Sequence, residues 1–121
     1  MTDAVDFVRK TRVLPVQSRS GVRVDLIWAT LPYEESAIRR AVARDVGSRK
    51  IRFATAEDLI LHKIISERER DRKDVEGIVG AQRGRLDLSY LDSRVRALSE
   101  ALEDPDLLDR YQRAIDRSSG L

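Results

Sequence analysis

A charged stretch near the middle of the chain contains the side chains whose types and spacing could do chemistry. Its nine residues, Ser66–Asp74, read SERERDRKD and include no aliphatic or aromatic side chain, although isoleucines precede them and valines follow. At about 100° per residue, a continuous helix would place Lys63, Glu67, Arg70 and Asp74 within roughly 40° of one another. We therefore expect either a solvated helix face joined by ion pairs or a polar site that binds an anion.

Asp71 differs from the rest of this stretch because its position falls inside the apolar arc of the predicted helix. A carboxylate on a packing face needs a partner or a ligand, since burying an unpaired charge is costly. Lys63 or Arg68 could supply that partner, and so could an anionic substrate held by the neighbouring cations. Alternatively, ion pairs such as Glu69–Lys73 would stabilise an exposed helix by about 0.2–0.5 kcal/mol each and require no ligand.

A second candidate acid, Asp25, lies in VRVDLIW, the strongest strand pattern in the chain. The alternation of a strand places Asp25 on the same face as Arg23 and Ile27. The carboxylate could pair with Arg23 on a solvent-facing strand. It could also be presented towards a metal and a phosphate, because hard divalent cations prefer carboxylate oxygen. The spacing leaves both interpretations open.

The elements that must position these residues are predicted to be strands followed by helices. The predicted elements are a helix over 3–10, strands over 12–18, 22–28 and 50–54, and helices over 31–44, 55–79, 88–103 and from 105 onwards. The first two strands should form a hairpin, Gly47 should end the second helix, and the capping box Thr55–Asp58 should start the long one. This order indicates an α+β domain with a small mixed or antiparallel sheet of about three strands. We expect residues 1–84 to form its core and residues 85–121 to add a C-terminal helical extension.

The composition limits the classes of protein to which this chain can belong. At 121 residues the chain fits one small domain, and its 41% hydrophobic and 36% charged residues indicate a soluble protein with a modest core. The 23 basic and 21 acidic residues nearly balance, so the net charge of +2 is weak support for nucleic-acid binding. The chain has no cysteine and no run of about 18 apolar residues. We therefore expect a cytoplasmic protein without a membrane segment or disulfide.

Two segments together resemble part of a minimal nucleotidyltransferase domain of the DNA polymerase β superfamily. They are VRVDLIW and IRFATAEDLILHKIISERERDRKDVEGIV, and the resemblance is closest to the AbiEii-type toxin nucleotidyltransferases. Such proteins have a strand with an acidic residue, a strand leading into EDLI and a lysine, and an R/K-D-x-x-D element. The corresponding positions here are Asp25, Glu57, Asp58, Leu59, Ile60, Lys63, Arg70, Asp71, Asp74 and Val75.

This resemblance implies roles for the charged residues. Asp25 would be a catalytic carboxylate that helps to hold Mg²⁺ or deprotonates the acceptor hydroxyl. Lys63 would contact the triphosphate of a nucleotide as a point charge. Arg70 and Asp71 would line the same cleft, and Asp74 would anchor the helix. The polar middle of the predicted helix would then face a polyphosphate cleft that it shares with Asp25.

The same resemblance predicts limits on activity. Such domains also have a Gly-Gly or Gly-Ser turn followed by an Asp-x-Asp strand, and this chain has no counterpart of that motif. We therefore expect a truncated nucleotidyltransferase-like protein that is inactive alone, since a two-metal site that loses ligands should lose transfer. The open sheet edge predicts an alternative, a protein-interaction module of a toxin–antitoxin-type system. In that case a partner chain or a second copy would complete the sheet.

A weaker alternative is a basic accessory protein that binds nucleic acid or tRNA. Several arginines near the predicted second helix could form a basic strip. They are Arg39, Arg40, Arg44, Arg49 and Arg52. Acids in the same region, among them Glu34, Glu35 and Asp45, dilute this charge.

Overall fold

The computed structural model describes residues 2–119, which form helices and antiparallel hairpins. In chain order the elements are α1 (Thr2–Thr11), β1 (Val13–Gln17), β2 (Arg23–Ile27), α2 (Pro32–Arg40), β3 (Val42–Val46), β4 (Arg49–Phe53), α3 (Ala56–Ile64), α4 (Glu69–Ala81), α5 (Leu88–Ala101) and α6 (Asp106–Ser119). The predicted α+β class is confirmed. Among residues 2–119, no helix combines the length and the apolar character needed to cross a bilayer. The chain divides into two compact units, residues 1–35 and 36–121.

The first unit contains α1 and the hairpin that the sequence predicts. β1 pairs antiparallel with β2, and Pro15 lies opposite Asp25. Proline is tolerated here because each strand of a two-stranded sheet has an open edge. Gly21 has a φ of +90°, which suits the turn between the strands. None of residues 3–35 is buried, so this unit has little core of its own.

A second hairpin replaces part of the helix predicted over 31–44. α2 ends at Arg40, and β3 follows almost at once and pairs antiparallel with β4. Gly47 is the first of the two residues that connect these strands, and its φ is +62°. A two-residue type II′ hairpin reserves that position for glycine. Gly47 therefore turns a hairpin rather than ending a helix, and the described strands form two separate sheets of two strands each.

The core of the second unit lies among the last four helices. α3 contacts α4, α5 and α6, and α6 also contacts α4 and α5. The largest fully buried apolar side chains are Ile60, Leu61, Val75, Leu91, Val95 and Leu107. On α5 the sequence predicts an apolar stripe of Leu91, Val95, Leu98 and Leu102. The first three are buried, whereas Leu102 lies beyond the helix end and is 42% exposed. On α6 the sequence predicts a stripe of Leu108, Tyr111 and Ile115. Tyr111 is buried, but its buried neighbours are Leu107 and Ala114, each one position earlier than predicted.

The long helix predicted over 55–79 is wrong, because the chain forms two helices there. α3 begins where the capping box predicts, and Thr55 Oγ1 accepts the backbone N–H of Asp58 at 3.1 Å. The helix ends at Ile64, and α4 begins only at Glu69. Between them, Ser66 Oγ accepts the backbone N–H of Arg68 at 3.1 Å. This bond satisfies the backbone N–H of Arg68 without a helical partner and so favours a break in the helix.

The break has a clear energetic cause. A straight helix of this length would hold its two apolar ends far apart, at 1.5 Å of rise per residue. With the break, α4 packs against α3, and both apolar ends are buried in one core; the buried residues are Ile60, Ile64, Val75 and Val79. The hydrophobic gain of joining the two ends outweighs the helical hydrogen bonds lost at the break.

Candidate functional site

Four of the predicted site residues meet where α3 ends and α4 begins. Lys63 Nζ lies 2.8 Å from Asp74 Oδ2 and 3.6 Å from Asp71 Oδ1. Arg68 Nε donates to Asp71 Oδ2 at 2.9 Å. We call these four residues the acid–cation cluster. Because α3 and α4 are separate helices, Lys63 meets the two aspartates across a helix–helix contact and not along one helix face.

Asp71 is the buried member of the acid–cation cluster, with 4% of its surface exposed. A hydrogen bond from the Ser66 hydroxyl lowers the pKa of Asp71 most, and the guanidinium of Arg68 and the ammonium of Lys63 lower it further. These effects outweigh burial, which acts in the opposite direction. The carboxylate is therefore ionised at neutral pH, and the chain itself supplies both partners that the sequence suggested.

Arg70 lies outside the acid–cation cluster. It is exposed on the first turn of α4 and forms no ion pair with any of residues 2–119. Its implied role in binding a nucleotide remains a prediction, but its charge is free to meet an anion.

Asp25 lies in the first unit, on β2, with 47% of its side chain exposed. Its Oδ1 is 3.8 Å from Arg23 Nε, which agrees with the solvent-facing interpretation. A guanidinium beside the carboxylate opposes a divalent cation, so these residues do not fit a Mg²⁺ site. Among residues 2–119, no group of three or more acidic or histidine side chains is placed to hold a metal ion. The expectation that Asp25 shares a cleft with Lys63 stays a prediction.

An open groove runs along α3 and α4 beside the acid–cation cluster. Its volume is about 600 Å³, within the range of about 300–1,000 Å³ that is typical of small-molecule sites. Lys63, Lys73 and Asp74 bring charge to it, and the apolar part of its lining is Ala54, Ala56, Leu59, Ile78 and Ala81. Lys73 is exposed and has no ion-pair partner among the described residues. The groove can therefore offer positive charge to one part of a ligand and an apolar surface to another.

A buried network that the sequence analysis missed surrounds Asp58. Its side chain has 0% of its surface exposed. It accepts hydrogen bonds from Arg40 Nε at 3.0 Å, from Thr55 Oγ1 at 3.0 Å and from the Tyr90 hydroxyl at 2.6 Å. The guanidinium of Arg40 also lies 3.8 Å from the centre of the Tyr90 ring. Because these partners satisfy the carboxylate, the aspartate of the EDLI segment joins α2, α3 and α5 structurally.

The predicted basic strip is smaller than the sequence suggests. Arg40 is engaged with the buried Asp58. Arg52 Nη2 donates to the carbonyls of Ile38 and Ala41, at 3.1 Å each, and so satisfies acceptors at the end of α2. Only three of the five arginines, Arg39, Arg44 and Arg49, remain without such internal partners among residues 2–119.

A smaller cavity of about 100 Å³ opens between α4 and α6. Arginines dominate its charged lining, and three of them come from α6 at positions 110, 113 and 117. That spacing places side chains on one helix face, so a signal for this cavity is present in the sequence. The cavity itself could not be predicted, because only the packing of α4 against α6 brings these arginines together with Arg72.

Comparison with protein-family models, with curated proteins and with solved structures found no match for this chain. The resemblance to nucleotidyltransferases therefore rests on the residues quoted for it.

Proposed function

We propose that this chain is a nucleotidyltransferase-like domain that binds a nucleoside triphosphate and performs no transfer by itself. The observation that carries the proposal is the groove along α3 and α4, where Lys63 and Lys73 lie beside an apolar wall. Lysine ammonium groups bind phosphates as point charges, and the apolar wall suits a base and a sugar. The role implied for Lys63 by the resemblance points to the same ligand.

The acid–cation cluster holds Lys63 in place without using all of its binding capacity. An ammonium group has three N–H donors, and Asp74 accepts one of them at 2.8 Å. The side chain of Asp74 is 43% exposed, whereas that of Asp71 is 6% exposed. A phosphate can therefore displace Asp74 from Lys63 while Asp71 keeps the ammonium oriented.

On this proposal, the chain binds the triphosphate but does not catalyse nucleotidyl transfer. Transfer of a nucleotidyl group depends on metal ions that neutralise the developing charge. Asp25 is the one acid given that role, and its surroundings do not fit Mg²⁺. We also propose a cytoplasmic location, in keeping with a chain that contains no cysteine.

Calorimetric titration with each of the four nucleoside triphosphates, with and without Mg²⁺, tests the proposal. We expect saturable binding that Lys73→Ala weakens about tenfold, because a charge-assisted contact to phosphate is lost. Lys50→Ala is the matched control, since Lys50 is an exposed lysine of the same unit and its pair with Asp45 lies on the surface. Equal affinities of Lys73→Ala and the wild type, or no binding of any triphosphate, would contradict the proposal. Lys63→Ala is unsuitable because it strips Asp71 and Asp74 of a counter-charge.

The two hairpins favour a second function, protein interaction. Within each hairpin a strand is bonded to one neighbour alone, and every residue of β2, β3 and β4 is exposed. The exposed apolar side chains of these strands include Val24, Leu26, Ile27, Ile51 and Phe53. Open strand edges with apolar side chains pair readily with further strands. On this second proposal, a partner chain or a second copy would extend one of the sheets.

Light scattering coupled to size-exclusion chromatography tests the interaction function for a second copy. We expect a dimer at micromolar concentration, and Leu26→Lys on β2 should shift it towards monomer. Val5→Lys is the control, because Val5 is similarly exposed, at 52%, but lies on α1. A monomer for all three proteins would leave only a different chain as partner, and equal effects of both variants would contradict a role for the strand edge.

A further inference from the structure

The cavity between α4 and α6 contains an arginine that is nearly enclosed. The side chain of Arg110 is 13% exposed. Its Nη2 donates to Asp104 Oδ2 at 3.0 Å and to the carbonyl of Ile64 at 3.3 Å. Its Nε is buried and makes no hydrogen bond among the described residues. A buried charged donor without an acceptor is costly, so an acceptor in the cavity would stabilise this arginine.

The other charges of this cavity leave a positive excess. Arg117 pairs with Glu76 at 2.9 Å, and Glu76 is the one carboxylate among the described residues that line the cavity. Arg72 and Arg113 also line the cavity, and neither forms an ion pair with any of residues 2–119. Arg72 on α4 and Arg113 on α6 therefore add two positive charges to the lining, and both would attract an anion in the cavity.

We propose that the α4–α6 cavity binds a phosphate group, with Arg72, Arg110 and Arg113 as its ligands. Guanidinium groups match the geometry of phosphate with paired N–H donors and stay charged at any physiological pH. A volume of about 100 Å³ lies below the range of about 300–1,000 Å³ that is typical of sites for whole small molecules. The cavity therefore takes a single phosphate group and not a whole nucleotide.

This site is additional to the triphosphate groove. Arg72, Arg110 and Arg113 belong to the lining of the cavity, whereas the groove uses Lys73 and an apolar wall. Lys63 borders both, so the experiment leaves Lys63 unchanged. The phosphate site does not depend on the proposed function, and either can fail while the other stands.

Calorimetric titration with inorganic phosphate and with glycerol phosphate, at constant ionic strength set with chloride, tests the site. We expect the double variant Arg72→Gln/Arg113→Gln to bind at least about tenfold more weakly than the wild type. Both arginines are exposed and form no ion pair with the described part of the chain, so the fold should persist, and circular dichroism checks this. Arg96→Gln on α5 is the matched control, because Arg96 is an exposed helical arginine outside the cavity. Phosphate should also raise the melting temperature of the wild type and not of the double variant.

The two ligands distinguish the sources of the phosphate group. Tighter binding of inorganic phosphate would assign the cavity to the free anion, and tighter binding of glycerol phosphate to the phosphate group of a larger molecule. Absence of binding to the wild type, or an equal loss in Arg96→Gln, would overturn the proposal. Triphosphate binding by Arg72→Gln/Arg113→Gln should be retained, which separates this site from the groove.

Discussion

At the residue scale, the buried carboxylate of Asp58 depends on donors from separate parts of the chain. Tyr90→Phe removes the 2.6 Å hydrogen bond to Asp58 and keeps the ring that lies against Arg40. We expect the free energy of unfolding to fall by about 1.5–3 kcal/mol, because the lost bond is to a buried charged group. Urea denaturation followed by circular dichroism measures this. Tyr33→Phe, which removes a hydroxyl with no hydrogen bond to residues 2–119, should change it by less than about 0.5 kcal/mol; equal losses would contradict the account.

Asp71 makes the free energy of unfolding depend on pH in the acidic range. Its pKa in the folded chain lies below the ordinary value of 3.8, chiefly because of the Ser66 hydroxyl. A lowered pKa stabilises the fold above the unfolded value, and this contribution is lost as the pH falls through the folded value. The wild type should therefore be more stable than Asp71→Asn near pH 6, and the difference should shrink below about pH 3.8. Urea denaturation of both proteins from pH 6 to pH 2 tests this, and a constant difference would contradict it.

The two buried aspartates show what residue patterns can and cannot predict. The need of Asp71 for a partner followed from its place in an apolar arc, and its partners lie three and eight residues away in the sequence. The partners of Asp58 on α2 and α5 lie 18 and 32 residues away. No local pattern identifies such distant partners, because the packing of helices brings them together.

At the scale of elements, the predictions failed where tertiary packing overrode local periodicity. The N-cap of α4 is Arg68, whose side chain makes no capping hydrogen bond, so no favourable capping residue marks the start of α4 in the sequence. The apolar periodicity over 55–79 therefore predicted one continuous helix. Likewise, the helical spacing over 31–44 predicted a helix where β3 forms. The sequence of β3, VARDV, has no apolar–polar alternation that would indicate a strand, and its partner strand lies beyond Gly47. Pairing with a second strand and packing against other helices determine the secondary structure of such segments. The spacing of residues within one segment contains no information on either.

Gly47 allows a direct test of the second hairpin. Its φ of +62° is unfavourable for any residue with a Cβ, although a Cβ there would meet no other atom within 4 Å. Gly47→Ala should therefore lower the free energy of unfolding by about 1 kcal/mol through the backbone alone. Gly77→Ala is the matched control, because Gly77 also has open space but lies within α4, where alanine should stabilise by about 0.5–1 kcal/mol. Denaturation curves of the two variants should move in opposite directions; a neutral Gly47→Ala would argue against the turn.

At the scale of the whole molecule, the buried apolar residues are distributed unequally. All those in the described chain lie between Ile60 and Ala114, and α3 to α6 supply them. The first unit offers a hairpin and one helix without a buried residue over 3–35. The sequence predicts that the helices of residues 85–121 extend a core that includes the strands. In the structure, α5 and α6 share one core with α3 and α4. A sequence pattern shows which faces are apolar, but not which of them meet.

This distribution of buried residues predicts which fragments of the chain can fold. A fragment of residues 31–121 keeps α2 whole, together with the bond from Arg40 to Asp58. It should fold and keep most of the free energy of unfolding of the full chain, because the apolar burial that stabilises the fold is retained. A fragment of residues 1–30 should be unfolded, since an isolated two-stranded hairpin is marginally stable at best in water. Circular dichroism and urea denaturation of both fragments measure this. A fragment 31–121 that does not fold without the first 30 residues would contradict this prediction.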